Sequence, residues 1–140
     1  MTRSRGVNKL LFSTTIYDFI VLPAPHNKQI RNKRVNKYYE CRDALAKEFA
    51  EAWGRWAKKQ GIPCSPITKP CRLKAIVCRK TRRQADFDNL GKTVSDALTV
   101  AQVVKDDSQF YNGEIVKRVG WNRDYIVVSI YEYDEKKKPL

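Results

Sequence analysis

Arg72-Leu73-Lys74-Ala75-Ile76-Val77-Cys78-Arg79, then Lys80 to Ala85, then Asp86-Phe87-Asp88-Asn89-Leu90-Gly91-Lys92 is the stretch on which the fold turns. Its first part alternates polar and apolar residues (Leu73, Ala75, Val77), as a half-buried strand does. Its last part opens an amphipathic helix from Asn89 to Ala101, in which Leu90, Val94, Ala97, Leu98 and Ala101 recur at helical spacing. Asp88 is placed to cap that helix. The chain therefore passes from strand to helix across a turn that carries two carboxylates.

Upstream, Tyr17 to Leu22 is β-prone and ends at Pro23 and Pro25. Cys41, Leu45, Phe49, Trp53 and Trp56 mark a long helix over about 36–60, which Gly61 and Pro63 terminate. Residues 1–15 lack a sustained period and read as a loose basic arm. Downstream, 113–120 and 125–133 read as two strands joined in a hairpin by Trp121-Asn122-Arg123-Asp124, and 135–140 as a frayed, charged tail. Strand, long helix, strand, helix and two strands make a single α+β (mixed α/β) domain, a small sheet packed against two helices.

The chain has 140 residues and a net charge of +13, unevenly distributed. Residues 1–85 hold 20 Lys and Arg against 5 Asp and Glu, whereas 86–140 hold 8 against 10. A polyanion can thus meet a cationic surface and an acidic centre on one molecule. The basic candidates for nucleic-acid contact are Lys28, Arg31, Lys33 and Arg34 before the long helix, Lys80, Arg82 and Arg83 before the aspartates, and Lys117 beyond them. Trp53 and Trp56 read as core or interface groups rather than base-stacking ones.

Cys41, Cys64, Cys71 and Cys78 form no Cys-x-x-Cys pair, and His26 is not spaced to join them around zinc. Reduced thiols of a cytoplasmic protein are the expectation. The apolar runs are far shorter than the ~20 residues of a bilayer span, and no signal peptide is legible.

Asp86 and Asp88 stand at i and i+2, so in an extended turn both carboxylates face one space. Lys92 lies one helical turn beyond Asp88, Asp96 one turn further, and Asp106-Asp107 return after the helix. Converging carboxylates repel unless a cation neutralises them. Mg²⁺ or Mn²⁺, which favours oxygen ligands and keeps sites open for water and phosphate, suits that role. Basic surface and acidic centre together suggest a nuclease, with Lys92 stabilising charge on the phosphorane or aiding the leaving group. A non-catalytic basic nucleic-acid-binding protein is the alternative. A phosphotransferase with an aspartate nucleophile fits poorly, because Arg82-Arg83-Gln84-Ala85 precedes Asp86 where an apolar strand end is needed.

Asp86-Phe87-Asp88-Asn89-Leu90-Gly91-Lys92, Asp96-Ala97-Leu98 and Asp106-Asp107, preceded by a basic run, resemble the signature of the RusA family of Holliday junction resolvases, common in bacteriophages and prophages. The close similarity covers roughly 79–118. Leu22-Pro23-x-Pro25 with Asn27 is a weaker echo, and Lys117 falls where the family carries a lysine. The resemblance implies a homodimeric, Mg²⁺- or Mn²⁺-dependent endonuclease that nicks four-way DNA junctions symmetrically during recombination and repair, in the cytoplasm of a bacterial host. It places catalytic acids at Asp86, Asp88 and Asp107, the essential lysine at Lys92, and Asp106 as a neighbouring candidate ligand. The first ~14 residues extend beyond the family's usual start, and Lys28–Lys37 has no close match. A twofold-symmetric junction needs two matched nicks, which a symmetric dimer supplies. The Tyr38–Trp56 helix or the terminal strands are the candidate interfaces.

Overall fold

The computed structural model describes residues 9–19, 33–80, 87–120 and 122–133, with side chains in the two helices from Lys37 and from Leu90 onward. The elements run β1 (Leu10–Tyr17), α1 (Lys33–Gln60), β2 (Cys71–Arg79), α2 (Phe87–Val100), a short 3₁₀ turn (Asp107–Gln109), β3 (Phe110–Val119) and β4 (Tyr125–Glu132). They form a four-stranded mixed sheet, in the order β1-β4-β2-β3, with two helices: an α+β domain as expected.

β2 pairs parallel with β3 and antiparallel with β4, and β4 pairs antiparallel with β1. Three strands therefore run one way, and β4 is inserted between β1 and β2 in the opposite sense. The expected hairpin does not form, because β2 separates β3 from β4. Strand spacing of about 4.8 Å puts two such intervals within reach of a short link at ~3.3 Å per residue, so a brief connection can skip a strand. Parallel pairing of β2 with β3 is in turn what a helical crossover through α2 permits.

Gly120 after β3 and Asp124 before β4 are both tied to the end of β2. The Gly120 N–H donates to the Arg79 carbonyl at 3.1 Å, and the Lys80 N–H to Asp124 Oδ1 at 2.8 Å. Gly120 has φ +94°, a conformation that favours glycine.

Residues 10–15 are not a loose arm. β1 begins at Leu10 and spans Leu10–Tyr17, ahead of the 17–22 stretch expected to be the strand; residues 20–22 lie outside the described part. Its Phe12 is fully buried, edge-on to Trp53 at 5.5 Å and Trp56 at 6.0 Å between ring centroids. The frayed-tail expectation for 135–140 also lies outside the described residues.

The core lies between one face of the sheet and the two helices. Leu73, Ala75 and Val77 of β2 and Ile126, Val128 and Ile130 of β4 meet Leu45, Phe49 and Trp53 of α1 and Leu90, Val94, Ala97 and Leu98 of α2. The α1 aromatic stripe thus faces the sheet and is occupied in the core, which removes Trp53 as an interface group. Cys71, also in this core, has its thiol pushed up to about 11 by burial, so it remains a protonated, inert group.

Both helices end in the same way. After α1, the Gly61 N–H reaches the Lys58 carbonyl and the Ile62 N–H the Ala57 carbonyl, with Gly61 at φ +70°. After α2, the Gln102 N–H reaches Thr99 and the Val103 N–H reaches Leu98, but the left-handed position is held by Gln102 at φ 58°. A side chain there is strained, so Gln102→Gly is expected to stabilise the fold by roughly 0.5–1 kcal/mol. A raised urea midpoint checks this. No rise would mean that the Gln102 amide, which donates to the Thr99 carbonyl at 2.8 Å, outweighs the strain.

Candidate active site

The chain reversal after α2 carries the second pair of aspartates back toward the helix. Val103 and Val104 are fully buried and anchor it. The Ile67 N–H donates to the Val103 carbonyl at 2.9 Å and the Lys105 N–H to the Ile67 carbonyl at 3.1 Å, a short bridge between two loops. Gln109 completes the frame: its amide donates to the Ile67 and Lys69 carbonyls at 2.7 and 3.1 Å, and its oxygen accepts from the Asp106 N–H at 2.8 Å. Nothing in the local pattern singled out Gln109. Its only sequence signal is the capping-box spacing from Asp106.

Asp106 and Asp107 are not equivalent within this frame. Asp106 Oδ1 accepts from the Ser108 N–H at 3.0 Å and caps the 3₁₀ turn, and these hydrogen bonds hold its carboxyl below the usual range. The Asp107 carboxyl is pushed up, first by desolvation, then by its hydrogen bond to and charge repulsion from Asp106, and then by the charge of Asp96; Lys92 acts in the opposite sense. A carboxyl crowded in this way is a favourable place for a cation.

Lys92 and Asp96 sit on consecutive turns of α2, with Nζ 3.6 Å from Oδ1. Lys92 is half exposed and Asp96 is more enclosed, at 48 % and 22 % side-chain exposure. Asp107 shares a shallow groove with Gly91 and Ser95 of α2 and Asn112 and Ile115 of β3. Gly91 allows this close helix–strand approach, since a Cβ there would lie 3.1 Å from Ile115 Cγ1.

Asp96 also accepts a hydrogen bond from the Tyr38 hydroxyl of α1, at 2.7 Å to Oδ2. Tyr38 was legible in the sequence only as part of an aromatic helix, because its partner is 58 residues away.

The structure pairs Lys92 with Asp96, joins Asp106 to Asp107, and sets Asp107 in one groove with Gly91 and Ser95, the α2 neighbours of Lys92 and Asp96. Asp88 falls in the first turn of α2, which starts at Phe87, rather than at its cap; its side chain and that of Phe87 lie outside the described part, as does Asp86 altogether. Of the basic candidates, Lys80 is exposed at the end of β2, and Lys117 is exposed on β3 opposite Val77. Lys33 and Arg34 open α1, whereas Lys28, Arg31, Arg82 and Arg83 lie outside the described residues.

Among the described residues, no group of three or more His, Cys, Asp and Glu side chains is gathered to hold a metal ion. The described donors beside Asp107 include the Asp106 carboxylate, an oxygen donor of the kind that suits a hard dication. No helix among the described residues is long and apolar enough to cross a membrane. Among the described residues, no disulfide joins the cysteines.

No individual curated protein matches the chain. A family model described as endodeoxyribonuclease RusA matches residues 21–131, from just after β1 to within the last strand. With most of its length matched, the chain belongs to the RusA family of endodeoxyribonucleases.

Proposed function

We propose that this protein is a divalent-metal-dependent endonuclease that resolves four-way DNA junctions by paired, symmetric nicks, acting as a homodimer in recombination and repair. The observation that carries the reading is the groove Asp107 shares with Gly91 and Ser95, the α2 neighbours of the Lys92–Asp96 pair, in a RusA-family chain. Asp86, Asp88 and Asp107 are the proposed metal ligands. Asp106 neighbours them, its carboxylate engaged by the Ser108 N–H. A bound Mg²⁺ or Mn²⁺ supplies Lewis acidity toward the scissile phosphoryl group.

The protein's own groups do the rest. Asp86, Asp88 and Asp107 would hold the dication, whose charge offsets their own repulsion of the phosphate. The Lys92 ammonium, one helical turn beyond Asp88, would stabilise negative charge as it develops on the phosphoryl oxygens. Lys28, Arg31, Lys33, Arg34, Lys80, Arg82, Arg83 and Lys117 would neutralise backbone phosphates and make binding steeply salt-dependent. A twofold dimer matches the symmetry of the junction and provides two such sites.

The test is cleavage of a synthetic four-way junction with Mg²⁺ or Mn²⁺. Nicking that disappears in Asp88→Asn while junction binding persists supports the reading. Junctions, flaps and forks left intact under both metals would overturn it and favour the non-catalytic DNA-binding alternative. Lys92→Ala is expected to lower turnover by about 10²-fold or more while changing junction affinity by less than about threefold. Equal losses in kcat and affinity would make Lys92 a simple phosphate contact.

A further inference from the structure

We infer that Tyr38 is a positioning residue for Lys92, acting through Asp96. The inference rests on the active-site reading above and adds to it a residue from the other helix. Tyr38 is 5 % exposed, and its hydroxyl donates to Asp96 Oδ2 at 2.7 Å. The other carboxylate oxygen, Oδ1, lies 3.6 Å from Lys92 Nζ. One carboxylate thus divides its two oxygens between a buried donor on α1 and a half-exposed cation on α2.

The Lys92–Asp96 pair cannot supply this order alone. An i,i+4 pair with the cation N-terminal to the anion has the weaker helical orientation and contributes only a few tenths of a kcal/mol. A carboxylate free to rotate would offer either oxygen to Lys92 and leave the long side chain mobile. The Tyr38 hydroxyl removes that freedom by fixing the carboxylate plane. Burial and the hydrogen bond to Asp96 push the Tyr38 hydroxyl far up, so it stays a proton donor wherever the protein is folded. Asp107 shares a groove with Gly91 and Ser95, the α2 neighbours of Lys92 and Asp96, so the position of Lys92 bears on the proposed site.

Two readouts test this, one of which requires no activity. In metal-free protein, the NMR order parameter of the Lys92 ammonium is expected to fall in Tyr38→Phe, a variant that keeps the ring and deletes the donor. On four-way junctions with Mg²⁺, Tyr38→Phe is expected to lower kcat about tenfold, the scale of outer-shell partners, with KM and junction affinity within about twofold. Asp96→Asn should lower Lys92 order as well, and combining it with Tyr38→Phe should add no further loss of kcat. A Tyr38→Phe protein with unchanged Lys92 order and unchanged kcat overturns the inference, even if its thermal midpoint drops, since that is the signature of a purely structural tie. If Tyr38→Phe fails to fold, Asp96→Asn decides alone: unchanged Lys92 order refutes the positioning path. Wild-type protein that cuts no junction would defeat the nuclease reading, whereas the NMR result would still report on the positioning.

Discussion

Asp107→Asn is expected to reduce junction nicking by on the order of 10³-fold or more, about 4 kcal/mol of transition-state stabilisation, with junction binding preserved or improved. The substitution keeps the shape of the side chain and removes the charge a dication would need. Binding should not suffer, because a carboxylate near a phosphodiester backbone repels it when no metal intervenes. Gel-shift and single-turnover nicking assays on one labelled junction separate the two effects. Parallel losses of binding and nicking would mean that Asp107 shapes the DNA surface rather than the chemistry.

The same variant carries a stability prediction whose sign follows from the environment of Asp107. Desolvation, Asp106 and Asp96 raise its carboxyl above the ordinary value of 3.8. An acid raised in the folded state costs stability once the pH exceeds its unfolded value, and the cost is fully present above the folded value. Asn carries no such cost. At neutral pH without metal, Asp107→Asn should therefore melt no lower than wild type, and any advantage should vanish as the pH falls below about 4. Melting curves at two pH values check this.

Phe12→Ala is expected to destabilise the fold by about 3–5 kcal/mol, the range for emptying a buried aromatic site. Phe12 is fully enclosed and meets Trp53 and Trp56 edge-on, a geometry that favours aromatic pairs. Against a total stability of about 5–15 kcal/mol for a domain, that loss is large. It also tests β1 as part of the domain, since β1 precedes the segment matched to the family. A shift in the urea midpoint worth less than ~1 kcal/mol would return residues 10–15 to the status of an arm.

The sequence was readable wherever a segment's own period reports which face it buries. Leu90, Val94, Ala97 and Leu98 of α2 were expected on one stripe, and all four are fully buried. Leu45, Phe49 and Trp53 did the same for α1. The period failed at β1. The run Leu10 to Tyr17 mixes Ser and Thr with its apolar residues, and only pairing with β4 shows that Phe12 and Ile16 point inward. It failed again at the 120–124 link, where a short connection between two strands looks the same from the chain whether or not a third strand lies between them.

The candidate site divides along the same line. From the sequence alone came the two helices, the strand-to-helix turn bearing Asp86 and Asp88, Lys92 one turn on, and the contrast between a basic first part and an acidic second part. Those are properties of neighbours along the chain, set by helical and extended geometry. Only the tertiary structure decided that β4 inserts beside β2, that Asp106 is engaged as a cap while Asp107 is crowded by charge, and that Tyr38 reaches Asp96 from another helix. The Asp106 cap is local, but its Gln109 is held by the distant Ile67 and Lys69 carbonyls. The β4 insertion and the Tyr38–Asp96 contact join groups far apart in sequence, and their meeting is set by how the helices and sheet pack.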